Sequence, residues 1–232
     1  MRRAVLGLRA IMGFAMSGFR LREGLTFCRV SDRLIFLDVP TDRYFCLGRE
    51  AADAFDRLLE FGPARTLEPA LLSLVDRGML VPGRPQERPS TCPQMPTAGS
   101  LLHAGGTIPR FQNVFEALAR RLVAEGQLRW TGLARTLVRA RAQGGRSELD
   151  LDLARNASAA FAESSLLRSR QARCISISVA TMAWLSARHC AATLVIGVKL
   201  HPFQAHCWIL VGDQLVNDDL DAVRAFTPIL VI

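Results

Sequence analysis

The residue types able to do nucleophilic chemistry converge on the last third of this sequence. Cys174 stands immediately before ISISVATMAWLSARH, an apolar run with helical spacing through Val179, Met182, Ala183 and Leu185. A cysteine in the first turn of a helix lies at the positive end of the dipole, beside backbone N–H groups that have no intrahelical partner, and Arg173 adds a cation. Both features favour a thiolate. Downstream, AHCWILVGDQLVNDDLD sets His206 and Trp208 in alternation with Cys207 on a strand, turns at Gly212-Asp213, and carries Asp218 and Asp219 at the end of the return strand. A histidine whose ring is held by a carboxylate from the neighbouring strand is a base for a thiol, so Cys, His and Asp in this order make a candidate nucleophilic triad. Taken singly, Cys174 would be a packing thiol and His206 a core histidine; the combination is what points to chemistry.

Which aspartate completes the set is left open by spacing. A strict two-residue turn puts Val211 opposite Gln214 and Asp219 opposite His206, and Asp218 joins His206 only if a bulge or a longer turn absorbs one residue. Pattern alone selects Asp219. The other histidines are weaker candidates: His189 falls at a helix end, His103 in a proline-rich stretch, and His201 in the loop LHPFQ before the strand of His206. The cysteines form no CxxC pair and keep no zinc-ligand spacing with the histidines, so no metal is expected.

The elements that must position these groups follow from periodicity. FQNVFEALARRLVAEG, LRWTGLARTLVRARAQ and a stretch from about Ser147 to Arg170, after Gly144-Gly145, read as helices; ATLVIGVKL, AHCWILV, QLVND and PILVI read as strands. Helices first and antiparallel strands afterwards predict an α+β domain. An earlier segment, LTFCRVSDRLIFLDVPTDRYFCL, predicts three strands with turns at Ser31-Asp32 and Pro40-Thr41-Asp42. Helices follow it, one with Ala51, Phe55, Leu58 and Leu59 on one face up to Gly62-Pro63, the next with Leu67, Leu71, Leu74 and Val75 up to Gly78. That is a small winged-helix-like unit. Between the two lies PGRPQERPSTCPQMPTAGSLLHAGGTIPR, whose prolines and Gly-Gly pair predict a linker. The expected organisation is an extension over 1–19, a winged-helix-like domain over 20–81, a linker over 82–106 and an α+β domain over 107–232.

Composition bounds the rest. Half of the 232 residues are apolar and 22% are charged, so the chain can bury a core. The net charge of +8 comes almost wholly from arginines, Lys199 being the one lysine. They are scattered rather than gathered in a stripe, which argues against a nucleic-acid partner. No apolar run reaches the ~18 residues of a membrane span. Arg9 interrupts the apolar stretch near the start and no cleavage pattern follows, so a cytoplasmic location with six free thiols is expected.

The segment from Cys174 through LVIGVKLHPFQAHCWILVGDQLVND to PILVI resembles the lasso-peptide biosynthesis B proteins, transglutaminase-like cysteine peptidases that remove the leader from a lasso-peptide precursor. REGLTFCRVSDRLIFLDVPTDRYFCLG is similar to the leader-recognition domain fused to that peptidase in many such proteins. The resemblance implies a papain-like, transglutaminase-type fold over 107–232, with Cys174 as nucleophile, His206 as base and then acid, and Asp218 orienting the imidazole, which in turn requires a bulge in the hairpin. It implies a winged-helix module that takes the leader as an added strand beside Asp42–Leu47 and against a helix over Leu67–Arg77, with Tyr44, Cys46 and Leu74 as pocket residues. It implies a precursor peptide and an asparagine-synthetase-like macrolactam cyclase as partners, no cofactor of its own, and ATP used only through that cyclase. Because the similarity begins near Phe19, Met16 is expected to be the true start. Two other readings keep the same residues: a transglutaminase or acyltransferase using the triad, or a non-catalytic scaffold that binds a precursor peptide or nucleic acid.

Overall fold

The computed structural model describes residues 18–62, 68–102, 108–142, 148–166 and 174–232. Met16, Leu67, His103, Gly144-Gly145 and Arg173 lie outside them. The chain divides into two compact units, one of the described residues up to Asp38 together with Arg43–Thr91, the other of Val39–Asp42 and Cys92–Ile232.

The first unit contains β1 (Gly18–Leu21), β2 (Leu25–Val30), β3 (Arg33–Asp38), β4 (Arg43–Cys46), α1 (Arg49–Phe61), α2 (Pro69–Asp76) and β5 (Leu80–Gly83). The antiparallel β2-β3-β4 meander matches the expected strands; Ser31, at φ 54°, takes the left-handed conformation that the two-residue turn between Val30 and Arg33 demands. Strand alternation sends Phe27, Leu34 and Phe36 into a core with Phe55 and Leu58 of α1 and Leu71 and Leu74 of α2. Phe55 stands edge-on to Phe27 and Phe36, with centroids 5.2 and 5.3 Å apart. This geometry suits the ring quadrupoles. Gly62 ends α1 at φ 76° and returns its N–H to the Leu58 carbonyl. Pro69 opens α2, where its missing N–H is no loss. Unforeseen is the antiparallel pair of β1 with β5, in which Phe19 faces Pro82. The start of the expected linker is thus a strand of this unit, and a proline is tolerated there because an isolated two-stranded ribbon leaves N–H positions that need no partner.

The second unit runs β6 (Gly99–Ser100), α3 (Phe111–Ala142), α4 (Leu151–Leu166), α5 (Cys174–Ser186), β7 (Thr193–Lys199), β8 (Gln204–Val211), β9 (Gln214–Leu215), α6 (Leu220–Arg224) and β10 (Thr227–Val231). Its sheet has the order β10-β7-β8-β9-β6, antiparallel except for β6 beside β9. This is the α+β class expected, with two departures. The linker supplies β6, and the break in α3 falls at Gly132, with φ 77° and ψ 174°, rather than near Gly126. Gly126 keeps to the helix; Gly132 does not.

Helix α5 is the centre of this unit, packed on β7 and β8 and against α3 and α4. Apolar residues surround it instead of forming a stripe, and Val179, Met182, Trp184 and Leu185 are all buried. That is what a helix enclosed on every side requires. Its buried hydroxyls are accommodated by hydrogen bonds: Thr181 donates to the Ile177 carbonyl at 2.8 Å and Ser178 to the Cys207 carbonyl at 2.9 Å. Arg121 of α3 is buried and donates to the Ser164 carbonyl of α4 at 2.8 Å, and Glu116 of α3 holds Arg188 beyond the end of α5 at 2.6 Å. The far end of α5 is therefore pinned, and Cys174 is its free-facing first residue.

Candidate active site

Helix α5 delivers Cys174 to the edge of the sheet where β8 presents His206. Along β8, His206, Trp208 and Leu210 share one face; Trp208 and Leu210 pack there with Val195, Leu215 and Val223. The imidazole is walled by the rings of Phe226, 5.2 Å away, and Trp208, 6.1 Å away. His206 lies opposite Gly197 of β7, and that glycine has a steric reason: a Cβ there would stand 2.5 Å from the Trp208 ring and 2.9 Å from Phe226 Cβ. Any larger residue would displace the two rings that wall the imidazole.

The aspartate that meets His206 is Asp218, its Oδ2 in a hydrogen bond with Nε2. Asp218 Oδ1 accepts the N–H of Asp219 at 2.8 Å, and the Ser100 hydroxyl from β6 donates to the Asp218 carbonyl at 2.6 Å. Asp219, which spacing alone selected, instead stands at the first position before α6 and lines the mouth of the site. The expected bulge is absent. Val211 faces Gln214 and Leu210 faces Leu215 across a strict two-residue turn. The ladder continues for one bond, Val216 N–H to the Ile209 carbonyl at 3.0 Å, and then Asn217 intervenes. Its side-chain Oδ1 takes the Ile209 N–H at 2.8 Å, the place an undistorted ladder gives to a backbone carbonyl. Freed from pairing, the chain bends over 216–218 and carries Asp218 to the ring.

The Asn217 side chain has a second partner, donating from Nδ2 to Ser178 Oγ at 2.9 Å. Ser178 is one helical turn beyond Cys174, and its own proton goes to the Cys207 carbonyl, next to His206. One buried chain of hydrogen bonds thus joins the three elements that carry Cys174, His206 and Asp218. Neither Asn217 nor Ser178 was singled out from sequence; the signal available was the asparagine immediately before Asp218 and a serine four residues after the candidate nucleophile.

Cys174, Ile177, His206, Cys207, Asn217, Asp218 and Asp219 line an open cavity of about 260 Å³. Burial alone would lower the pKa of His206, but the hydrogen bond with Asp218, the hydrogen bond with Cys174 and the negative charge at both positions raise it to about 9. With Nε2 engaged by Asp218, Nδ1 is the nitrogen left for the sulfur. Cys207, though it shares the cavity wall, is fully buried, and burial drives its thiol far above the ordinary range. Burial likewise raises Cys190 and Cys92. All six cysteines are free. Among the described residues no group of three or more histidine, cysteine, aspartate or glutamate side chains is placed to hold a metal ion, and no helix is long and apolar enough to cross a membrane.

The remaining sequence candidates are placed differently. His201 is exposed in the loop before β8, and His189 lies beyond α5 beside Glu148 and Asp150, away from the cavity. In the first unit Tyr44 is half-buried and Cys46 exposed on β4, which pairs with β3 on one side only among the described residues. Leu74 is 0% exposed. It is a core residue and offers no surface to a peptide, correcting its reading as a pocket residue; a leucine on the inner helix face serves packing first.

Residues 118–231, from within α3 to the end of β10, match the transglutaminase-like superfamily. The microcin J25-processing protein McjB of Escherichia coli is 44% identical to this chain over 45 residues, which are 19% of this chain and 22% of that protein. The chain therefore matches about a fifth of that relative's length. No solved structure gives a significant match.

Proposed function

With residues 118–231 a transglutaminase-like domain and the chain akin to the lasso-peptide biosynthesis B proteins, we propose that it is a cysteine peptidase that binds the leader of a lasso-peptide precursor and removes it. The observation that carries this reading is the His206 imidazole held between Asp218 and Cys174 with its pKa at about 9. At neutral pH such a ring is an imidazolium, and it stands beside the Cys174 sulfur at a helix N-terminus, where a negative charge on sulfur is favoured.

The thiolate of Cys174 attacks the carbonyl carbon of the bond between leader and core. The developing oxyanion meets the backbone N–H groups of the first turn of α5, which have no intrahelical acceptor. His206 Nδ1 gives its proton to the departing amine, which is the N-terminus of the core peptide, and the leader remains as a thioester on Cys174. Water then attacks the thioester with His206 as base, and the sulfur leaves as a thiolate, restoring the pair. Asp218 keeps one tautomer and one ring orientation through both steps. No step requires a metal or a cofactor of this chain. The freed amine suits macrolactam formation by an asparagine-synthetase-like cyclase, and the ATP is consumed there.

Leader capture is assigned to the first unit. The open edge of β4 can accept an extended peptide through backbone hydrogen bonds, with Tyr44 and Cys46 beside it to read alternate side chains. The decisive experiment incubates the wild-type protein and Cys174→Ala with the precursor peptide and reads products by mass. The wild type should yield free leader acid and core amine. The variant should bind the leader unchanged but release nothing; cleavage by the variant rejects Cys174 as the nucleophile.

A further inference from the structure

Helix α3 turns a row of large apolar side chains away from its own unit. Phe111 is 83% exposed, Phe115 65%, Leu122 50% and Trp130 82%. With Ala119 and Gly126 between them, these residues recur at spacings of 4, 4, 3, 4 and 4 along the helix. At 100° per residue that row is a single stripe down one face. It lies opposite the side of α3 on which Ala117, Arg121 and Ala124 are buried. Apolar surface gathered in this way on the outside of a folded unit marks a contact site.

The stripe is also symmetric about its own midpoint, and large residues are matched by small ones. An identical helix laid antiparallel about the point between Arg120 and Arg121 brings Phe115 against Gly126, Ala119 against Leu122, and Phe111 against Trp130. Each large central residue meets a small one, the interlocking that a tight helix pair needs. Gly126 is otherwise hard to justify: it is helical, faces open space with no atom within 4 Å of a built Cβ, and weakens the helix there relative to alanine. A close neighbour explains it. A self-complementary patch is the requirement of a two-fold interface.

We propose that this face of α3 is the interface of a homodimer, a second copy of the chain docking antiparallel on the stripe. The exposed parts of Phe111, Phe115 and Trp130 amount to roughly 450 Å² per copy. Over two copies, with Leu122 and the flanking Val123, that comes to about 1,200 Å², the lower bound of a stable specific interface. The dimer is independent of the chemistry proposed above, and Cys174, His206 and Asp218 take no part in it.

The test uses the full chain and two variants, Phe115→Glu and Gly126→Arg, with mass in solution read by light scattering and folding by circular dichroism. Wild type should be twice the 25.5 kDa chain mass. Each variant alone should be a folded monomer, since neither introduced charge can pack against the native residue it would face in the second copy. An equimolar mixture should return to dimer, because in that pairing the introduced glutamate of one copy meets the introduced arginine of the other while the second Phe–Gly contact stays native. A wild-type monomer overturns the proposal, and so does a variant that remains dimeric or a mixture that stays monomeric. A wild-type monomer that sediments with anionic lipid vesicles or binds the cyclase, and loses this in Phe115→Glu, would overturn it too and reassign the stripe to that partner.

Discussion

Replacing Asp218 with asparagine isolates what its charge does to His206. The variant keeps the shape but removes the anion and weakens the hydrogen bond that, after the opposing effect of burial, raises the imidazole from 6.5 to about 9. That rise corresponds to about 3 kcal/mol in favour of the protonated ring. Cys174 contributes to it as well and burial opposes both, so the figure is the net of the two partners against burial. Because burial alone lowers the pKa, Asp218→Asn should bring the alkaline limb of leader cleavage down from near pH 9 toward 7, by one to two units. The assay is the pH dependence of single-turnover cleavage, accompanied by the rate of Cys174 alkylation. Linkage gives a second readout. A histidine whose folded pKa lies above its unfolded value contributes stability that is fully present below about 6.5 and lost as pH rises through about 9. Unfolding free energies of wild type and variant from denaturant titration should therefore differ by about 3 kcal/mol at pH 6 and draw together near pH 10. An alkaline limb that stays in place would refute the assignment of Asp218 as the electrostatic partner. A stability difference that is the same at both pH values would refute the linkage.

Asn217→Ala leaves the Ile209 N–H without its acceptor and Ser178 without its donor, which should cost about 1–3 kcal/mol in denaturant unfolding and lower kcat more than it raises KM. Gly197→Ala forces a Cβ to within 2.5 Å of the Trp208 ring; cleavage should fall at least tenfold, with a change in near-ultraviolet circular dichroism that reports the displaced tryptophan. Leu74→Ala should destabilise the first unit by about 2–5 kcal/mol, whereas Tyr44→Ala, at a half-buried position, should cost less in melting and weaken leader binding in fluorescence polarisation.

Much of the architecture was legible because it rests on local rules. The β2-β3-β4 meander followed from alternation and from Ser31-Asp32, and the α+β order from a change of period at Thr193. What escaped was set by long-range partners. β1 and β5 are short ribbons whose pairing depends on chain segments some sixty residues apart, and nothing local to Pro82 announces a strand. Gly126 and Gly132 look alike in sequence, yet Gly126 stays helical while Gly132, at φ 77°, breaks the helix, and neither has a neighbour that would announce the difference. At the site, residue types pointed to Cys174 and His206, but counting along the hairpin selected the wrong aspartate. The count assumed that the ladder continues, and the Asn217 side chain ends it by taking a backbone donor. A side chain that substitutes for a main-chain carbonyl leaves no trace in a pattern of apolar and polar positions.

The proline-rich stretch, once recognised as the source of β6, also decides where this protein can be cut. Ala98 donates to the Asp213 carbonyl at 2.8 Å, Leu101 to the Leu215 carbonyl at 2.8 Å, and Ser100 to that of Asp218. A truncation beginning at Thr107, the boundary that composition suggests, would strip the outer strand from β9 and release the bend that holds Asp218. A fragment beginning near Cys92 retains all three bonds. Dissection of the chain into separate halves, whether by cloning or by a protease, therefore has its workable junction within that stretch, after β5 and the Glu87 carbonyl that accepts from Phe19 and before Ala98. The first of those residues that can be lost without loosening the bend lie before Ala98.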